Sequence, residues 1–322
     1  DGQVVMSSDS KMGVLGNLTY SPLGFFSTWI DYQKYEPGFN LEHLGYLWRD
    51  NYSQLKTGVK FQNQEYWGVI RNSAIILEWE FEENSDDLDL GKTVELSYDA
   101  MFSNFWEIRG GYYKIQGHHD DRKIYSYYSM DAFGPIIKIP EISGYHFNIS
   151  SDRHQKLSAN LSWTFATNTR DDLEKGQFVE FIYHPNTFLT FSGSYDNYRL
   201  NKKYYWLEEL EGDDGIQYIF SDLDKNLNIY SLRSSGNIGR KLSIQIYSEI
   251  FQNSDTYSNY SLYNKDSKTY SEGNDGSGIY TTDENEAISP TSSLILDPNY
   301  YIGLYPRYTN FIFNGILKWN YA

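Results

Sequence analysis

The sequence predicts an all-β fold, an antiparallel up-and-down transmembrane β-barrel with about 12–14 strands visible in this chain. Apolar and polar residues alternate with a period of two, and most alternating segments have the roughly nine to eleven residues that a strand needs to cross a bilayer. The connections between segments alternate between short and long, as in outer-membrane barrels. The chain is therefore a barrel of this size or a part of a larger one.

The composition excludes several other protein classes. The 322 residues include 31 Tyr, 18 Phe and 8 Trp, which excludes intrinsic disorder. No apolar run approaches the roughly 18 residues of a membrane-spanning helix. The net charge of −16 repels phosphate backbones, so we expect no nucleic-acid partner. The absence of Cys excludes disulfides, thiolate zinc sites and cysteine nucleophiles.

The predicted strands follow from the alternation, element by element. Near the N-terminus a short strand is expected around Val4 and a longer one at 12–20. The remaining strands are predicted at 25–35, 52–62, 71–82, 93–102, 105–116, 142–150, 156–167, 176–184, 187–199, 224–235, 241–252 and 308–321. The links between successive strands are predicted to alternate between longer polar segments and tight turns. We expect one domain over 1–322, with a long extracellular loop at 253–307.

Each predicted strand has one polar and one apolar face. The polar faces carry charges of both signs, which we expect to line the lumen. These lumen-facing candidates are Lys56, Lys60, Glu78, Glu80, Asp99, Arg109, Glu180, Glu249 and Lys318. The lipid-facing candidates are Leu77, Trp79, Leu96, Leu161, Trp163, Ile244, Phe313 and Trp319. Such a lumen is water-filled, or it is closed by paired side chains and a folded-in loop.

Catalytic, cofactor and metal sites are not expected. Glu78, Glu80, Glu180 and Glu249 supply carboxylates for a glycosidase pair, but each lies on a polar strand face, where a solvated charge is the simpler interpretation. The cluster His118-His119-Asp120-Asp121 has metal-ligand chemistry. Adjacent histidines on a strand point apart, so we interpret this cluster as a hydrophilic loop.

Three segments resemble one family of outer-membrane proteins. They are Gly38-Phe-Asn-Leu-Glu-His-Leu-Gly-Tyr-Leu-Trp-Arg49, Tyr218-Ile-Phe-Ser-Asp-Leu-Asp224 and Leu242-Ser-Ile-Gln-Ile-Tyr-Ser-Glu-Ile-Phe251. The family is common in Bacteroidota. Its members carry a domain similar to carbohydrate-binding-module family nine, followed by a β-barrel of uncharacterised function. The resemblance runs from about Gly16 to the end and implies a Gram-negative outer-membrane location with a link to glycans.

The chain departs from that family at both ends. The N-terminal carbohydrate-binding-like domain is absent, and the chain ends at Ala322 where the family continues into further strands. We therefore expect the sequence to be part of a longer protein. The expected partners are outer-membrane lipid and lipopolysaccharide, other outer-membrane proteins or missing strands of the same protein, and glycans.

Three functional hypotheses remain open. The first is a non-enzymatic, porin-like outer-membrane barrel that serves as anchor or pore component of a surface system for glycans or nutrients. The alternative is a secreted, soluble β-sandwich that binds carbohydrate like a lectin, and the third is a β-rich hydrolase with paired carboxylates. A detergent requirement separates the first hypothesis from the others. Sugar binding without turnover separates the second from the third.

Overall fold

The computed structural model describes residues 2–6, 11–39, 49–122, 135–212, 215–238, 242–264, 269–272, 280–281, 287–288, 295–296 and 307–319. All regular elements of these residues are strands, which confirms the all-β prediction. In this described part of the chain, no helix has the length and apolarity to cross a membrane. By contacts the chain divides into unit 1 (1–121 and 137–147) and unit 2 (122–136 and 148–322). The single β-barrel domain stays a prediction.

Unit 1 is an antiparallel meander in which each strand of the main sheet pairs with the next along the chain. Its strands are β1 (Gly2–Met6), β2 (Met12–Leu23), β3 (Phe26–Tyr35), β4 (Tyr52–Asn63), β5 (Ile70–Glu83), β6 (Asp89–Phe102), β7 (Glu107–Ile115), β8 (His118–Asp120), β9 (Ile137–Ile139) and residues 142–147 of β10 (Ile142–Ser150). β10 follows β7 in the sheet, while β8 and β9 form a separate hairpin. The histidine cluster predicted as a loop therefore begins with a short strand.

Unit 2 is also built from antiparallel strands, and three of them, β13, β14 and β15, have 23 or 24 residues each. It contains residues 148–150 of β10, β11 (Leu157–Asn168), β12 (Leu173–Asn186), β13 (Leu189–Gly212), β14 (Gly215–Ile238), β15 (Leu242–Asn264), β16 (Thr269–Glu272), β17 (Tyr280–Thr281), β18 (Ala287–Ile288), β19 (Ile295–Leu296) and β20 (Arg307–Trp319). β15 pairs with β14 on one side, and with β20 and β16 along different parts of its other side. β17, β18 and β19 form a separate small sheet.

Two predicted boundaries in unit 2 are wrong. The link expected at 200–223 is instead the far end of the β13–β14 hairpin, which reverses between Gly212 and Gly215. Within the loop expected at 253–307, β15 continues to Asn264, and β16, β17, β18 and β19 are further strands. In the part of β14 that precedes the predicted strand, consecutive residues, including Ile219 and Phe220, are almost fully buried. Both of its faces are covered there, so the polar–apolar alternation that predicts half-exposed strands is lost.

Most buried apolar side chains lie at strand ends or in the parts of β14 and β15 that extend beyond the predicted strands. This set contains Phe39, Tyr52, Leu90 and Ile137 in unit 1, and Ala166, Tyr218, Ile219, Phe220, Leu223 and Tyr263 in unit 2. Along the middle of the strands, by contrast, large apolar side chains are exposed. The two faces of the strands therefore present different chemistry to their surroundings.

Candidate functional site

The strand register brings the six predicted charged residues of unit 1 onto one polar face. Lys56 stands opposite Glu80 on the neighbouring strand, and Asp99 stands opposite Arg109. Because side chains alternate between faces, the full set on this face is Lys56, Lys60, Glu78, Glu80, Asp99 and Arg109. The prediction that they share one face therefore agrees with the pairing. That this face lines a lumen stays a prediction.

The charges on this face interact with one another. Lys56 Nζ lies 2.7 Å from Glu78 Oε1 and 3.8 Å from Glu80 Oε2. Arg109 donates a hydrogen bond to Glu107, at 2.9 Å. The side chains of Lys56 and Glu78 are 35% and 22% exposed, so this ion pair is screened less than a pair in open solvent.

Further members of this polar face were not recognised from the sequence. Gln33 donates to Gln54 at 2.5 Å, and Gln54 donates in turn to Glu80. The Trp29 ring covers Gly58, where a Cβ atom would come within 2.3 Å of the ring. These contacts join strands that are 20 to 30 residues apart in sequence, so only the register could have revealed them.

The polar face of unit 2 carries the other three predicted charged residues. Glu180 stands opposite Asn160, and Lys318 stands opposite Ser243. Glu249 accepts a hydrogen bond from Ser231 at 3.1 Å and another from the Tyr247 hydroxyl. Hydroxyl and amide groups therefore stand beside these three residues, and an ion pair between Lys225 and Asp255, at 3.2 Å, lies on the same face.

The predicted lipid-facing residues all lie on the opposite, apolar faces. In unit 1 Leu77 stands opposite Leu96, and Trp79 belongs to the same face. In unit 2 this face carries Leu161, Trp163, Ile244, Phe313 and Trp319. Phe313 is 64% exposed, Trp319 54%, Leu96 48% and Trp163 39%. Leu77, Trp79, Leu161 and Ile244 are half-buried, because neighbouring side chains on the same face shield them.

The apolar faces expose more large apolar side chains than is usual in a water-soluble sheet. Ile75 and Leu232 on the apolar faces are 55% and 66% exposed, more than the charged side chains of Lys56 and Glu78. Soluble proteins rarely expose contiguous apolar patches of more than a few hundred Å². The sheets therefore expose large apolar side chains on one face and gather charged and polar side chains on the other, and the apolar face suits a hydrocarbon solvent.

A buried polar cluster lies at the long-link end of unit 1. Arg49, only 7% exposed, has its guanidinium 2.7 Å from Asp121 Oδ2, and Asn84 donates to the same oxygen at 3.2 Å. The Arg49 guanidinium carbon also lies 5.6 Å from the centre of the Tyr52 ring. The cluster joins three separate links of the chain, those that precede β4, β6 and β9. Residues so far apart in sequence give no local motif, so the cluster was not predicted.

The tight turns at the other end of the strands are closed by short polar side chains. In the β10–β11 turn the His154 N–H donates to Asp152 Oδ1 at 2.8 Å, and this bond lowers the pKa of the Asp152 carboxyl. In the β12–β13 turn the Phe188 N–H donates to Asn186 Oδ1 at 2.9 Å. Asp and Asn reverse the chain by this mechanism, and the register of each hairpin follows.

Metal-ligand chemistry does not gather at one point in the described ranges, where no group of three or more His, Asp or Glu side chains is placed to hold an ion. His118 Nδ1 lies 2.9 Å from the Gln116 carbonyl oxygen, and Asp121 binds Arg49. The histidine cluster is therefore divided between β8 and the buried polar cluster.

The comparisons with known proteins give one family and one solved protein. The profile of the family described as "Domain of unknown function (DUF5916)" matches residues 3–288. Two structures of OmpT, an outer-membrane protein of Vibrio cholerae, one expressed in the outer membrane and one folded in vitro, each align with 96% of this chain and 89% of that chain. Both have 10% sequence identity and a TM-score of 0.33. No curated protein matches the sequence.

Proposed function

This chain belongs to the family described as "Domain of unknown function (DUF5916)", and we propose that it forms a membrane-spanning β-barrel, or part of one, in a bacterial outer membrane. The barrel is non-enzymatic and serves as an anchor or pore component of a surface system that handles glycans or other nutrients. The observation that carries this proposal is the pair of faces, with exposed large apolar side chains on one face and charged and polar side chains on the other.

The length of the strands supports the proposal that they cross a bilayer. β4, β5, β6, β11 and β12 have 12 to 14 residues each. At roughly 3.3 Å per residue and a tilt near 45°, about nine to eleven residues cross the hydrocarbon core, so these strands cross it and reach both interfaces. Their backbone groups are paired on both sides within the meander, as the bilayer core requires.

The strands at the edges of the sheet require further pairing partners. Among the described residues β1 pairs with β2, and β20 pairs with β15, on one side each. An edge exposed to lipid would leave its N–H and C=O groups without partners. We therefore propose that these edges pair with each other, with further strands of the same protein or with another outer-membrane protein.

Contacts on the polar faces support a structural role for the carboxylates. Glu78 and Glu80 share the cation Lys56, and Glu249 accepts hydrogen bonds from two hydroxyls. Each of these carboxylates therefore has side-chain partners within a polar network. We therefore propose a barrel held by polar networks instead of a hydrolase with a carboxylate pair.

Sequence resemblance, together with aromatic side chains, supports the link to glycans. The resemblance connects this chain with proteins that carry a carbohydrate-binding-like domain, and the rings of its many Tyr, Phe and Trp residues can stack on sugars. The Bacteroidota origin and the lipopolysaccharide contacts stay predictions of the same kind.

Membrane fractionation followed by a gel of boiled and unboiled protein tests the proposal. We expect the chain to sediment with the outer membrane and to migrate faster when unboiled, because an intact barrel resists unfolding by detergent. Conductance in planar bilayers then separates a pore from an anchor. If the folded protein stays soluble without detergent, the barrel is wrong and the carbohydrate-binding sandwich becomes the leading hypothesis.

A further inference from the structure

A cavity of about 540 Å³ lies on the polar face of unit 2, among β13, β14, β15 and β20. It is close to the tight-turn end of these strands. Its polar lining includes Ser192, Arg233, Ser235, Gln245, Tyr247 and Asn314. Ligand pockets for small molecules have roughly 300–1,000 Å³, so the size suits a compact ligand.

The lining is built from two cross-strand rows. In the first row Ser192 stands opposite Arg233, Arg233 opposite Tyr247, and Tyr247 opposite Asn314. In the second row Ser235 stands opposite Gln245. Neighbouring strands are about 4.8 Å apart, so these hydroxyl and amide groups form a regular grid of donors and acceptors. The described lining contains one cation, Arg233, and no carboxylate.

Arg233 is held in place by an aromatic ring. Its guanidinium carbon lies 4.8 Å from the centre of the Tyr247 ring, a cation–π contact. The Tyr247 hydroxyl donates to Glu249, and Glu249 also accepts a hydrogen bond from Ser231, which fixes the ring from its far end. A guanidinium that lies against a ring keeps its N–H edge available, and that edge matches the paired oxygens of a carboxylate or phosphate.

From this arrangement we infer that the cavity binds a small polyhydroxylated anion, such as a sugar phosphate or a uronate. Arg233 binds the oxyanion, while Ser192, Ser235, Gln245 and Asn314 exchange hydrogen bonds with the hydroxylated body. The inference goes beyond the proposed function, because the cavity and its ligand do not depend on lipid against the opposite face.

Calorimetric titration of the purified full chain tests the ligand class with four probes. We expect glucose 6-phosphate and glucuronate to bind. Glucose, which lacks the oxyanion, and inorganic phosphate, which lacks the hydroxylated ring, should bind roughly tenfold or more weakly. Glucose binding as tightly as glucose 6-phosphate would overturn the role of the oxyanion. Phosphate binding as tightly as glucose 6-phosphate would overturn the role of the hydroxylated body.

Variants then assign the binding to this cavity. Arg233→Gln should weaken glucose 6-phosphate roughly 10- to 100-fold, and Arg233→Lys should weaken it less because the charge remains. The matched control is Arg199→Gln, an exposed arginine of β13 on the opposite face of the same sheet. Equal losses for both Gln variants, or no loss for Arg233→Gln, would contradict the site.

The ring contact has its own test. Tyr247→Phe keeps the ring beneath Arg233 and should keep most of the binding, whereas Tyr247→Leu should lose it. Equal affinities for these two variants would overturn the role of the ring.

The boiled and unboiled gel is run on every variant. A chain that binds glucose 6-phosphate but shows no barrel behaviour refutes the proposed function alone, and a barrel that binds none of the probes refutes this inference alone.

Discussion

The two ends of β14 differ in how far their side chains are buried. Toward the hairpin tip, Ile219 and Phe220 are 1% and 0% exposed. Toward the tight turn, Tyr230 and Leu232 of the same strand are 44% and 66% exposed. β13 and β15 accompany β14 over almost its whole length, so strand pairing does not explain the difference. The difference comes from what covers the faces.

Protein covers the hairpin-tip end. The Phe220 ring lies 5.9 Å from the Tyr263 ring, and the Tyr263 hydroxyl donates to the Ile136 carbonyl oxygen at 3.0 Å. In our proposal the bilayer covers the other end, on the face that carries Leu232. On that proposal, one strand passes from a region covered by lipid into a region covered by other parts of the protein.

The largest expected effect comes from removing a ring at the buried end. Phe220→Ala should lower the free energy of unfolding by about 3–5 kcal/mol, because it leaves a cavity among side chains with no solvent access. Leu232→Ala, on the exposed apolar face, should cost far less in detergent. Urea unfolding of both variants in micelles measures the difference. Similar losses for both would remove the contrast between the two ends.

A charge on the apolar face is expected to have the second-largest effect. Leu232→Arg should destabilise the protein by about 2–4 kcal/mol in a bilayer if the residue lies near the midplane of the hydrocarbon core. In water the same substitution should be nearly neutral, since an exposed surface site tolerates it. Refolding into lipid vesicles, compared with Leu232→Ala, measures the cost. A neutral result in lipid would contradict our assignment of this face.

A smaller effect is expected from the hydrogen bond at the buried end. Tyr263→Phe removes the donor to the Ile136 carbonyl and should cost about 1 kcal/mol, as for a typical buried hydrogen bond. Tyr230→Phe, on the exposed apolar face, is the matched control and should be close to neutral. Urea midpoints of the two variants give the comparison, and a larger loss for Tyr230→Phe would reverse it.

The smallest effect is expected at Ser221, which is 0% exposed. Its hydroxyl oxygen has no hydrogen-bond partner among the described residues. A buried hydroxyl without a partner is destabilising, so Ser221→Ala should be neutral or slightly stabilising. A shift of the urea midpoint measures it. A clear loss of stability would mean that the hydroxyl is used after all.

The strands were predictable where one face is polar and the other apolar. The alternation around Leu161 and Trp163 placed β11 within a residue or two of its observed ends. It failed at Tyr218-Ile219-Phe220-Ser221, where burial of both faces removes the pattern. Faces were predictable for the same reason, because a period of two fixes which residues of one strand share a side.

Side-chain partners were not predictable, because they depend on register between distant segments. Lys56 was expected on a polar face, but its contact with Glu78 follows from the pairing of β4 with β5. The cavity at Arg233 needs four strands in register, and its row joins residues between 192 and 314. A one-residue slip in any pairing would move a side chain to the other face.

The meander has a consequence for the order in which the chain assembles. Most pairings join neighbours in sequence across tight turns, so most hairpins close small loops at little entropic cost. The pairings of β7 with β10 and of β15 with β20 close the longest gaps, across 116–141 and 265–306. Loop-closure entropy grows with length and must be overcome before such contacts contribute. Hairpins such as β4–β5 and β11–β12 should therefore form early, and these two pairings should form last.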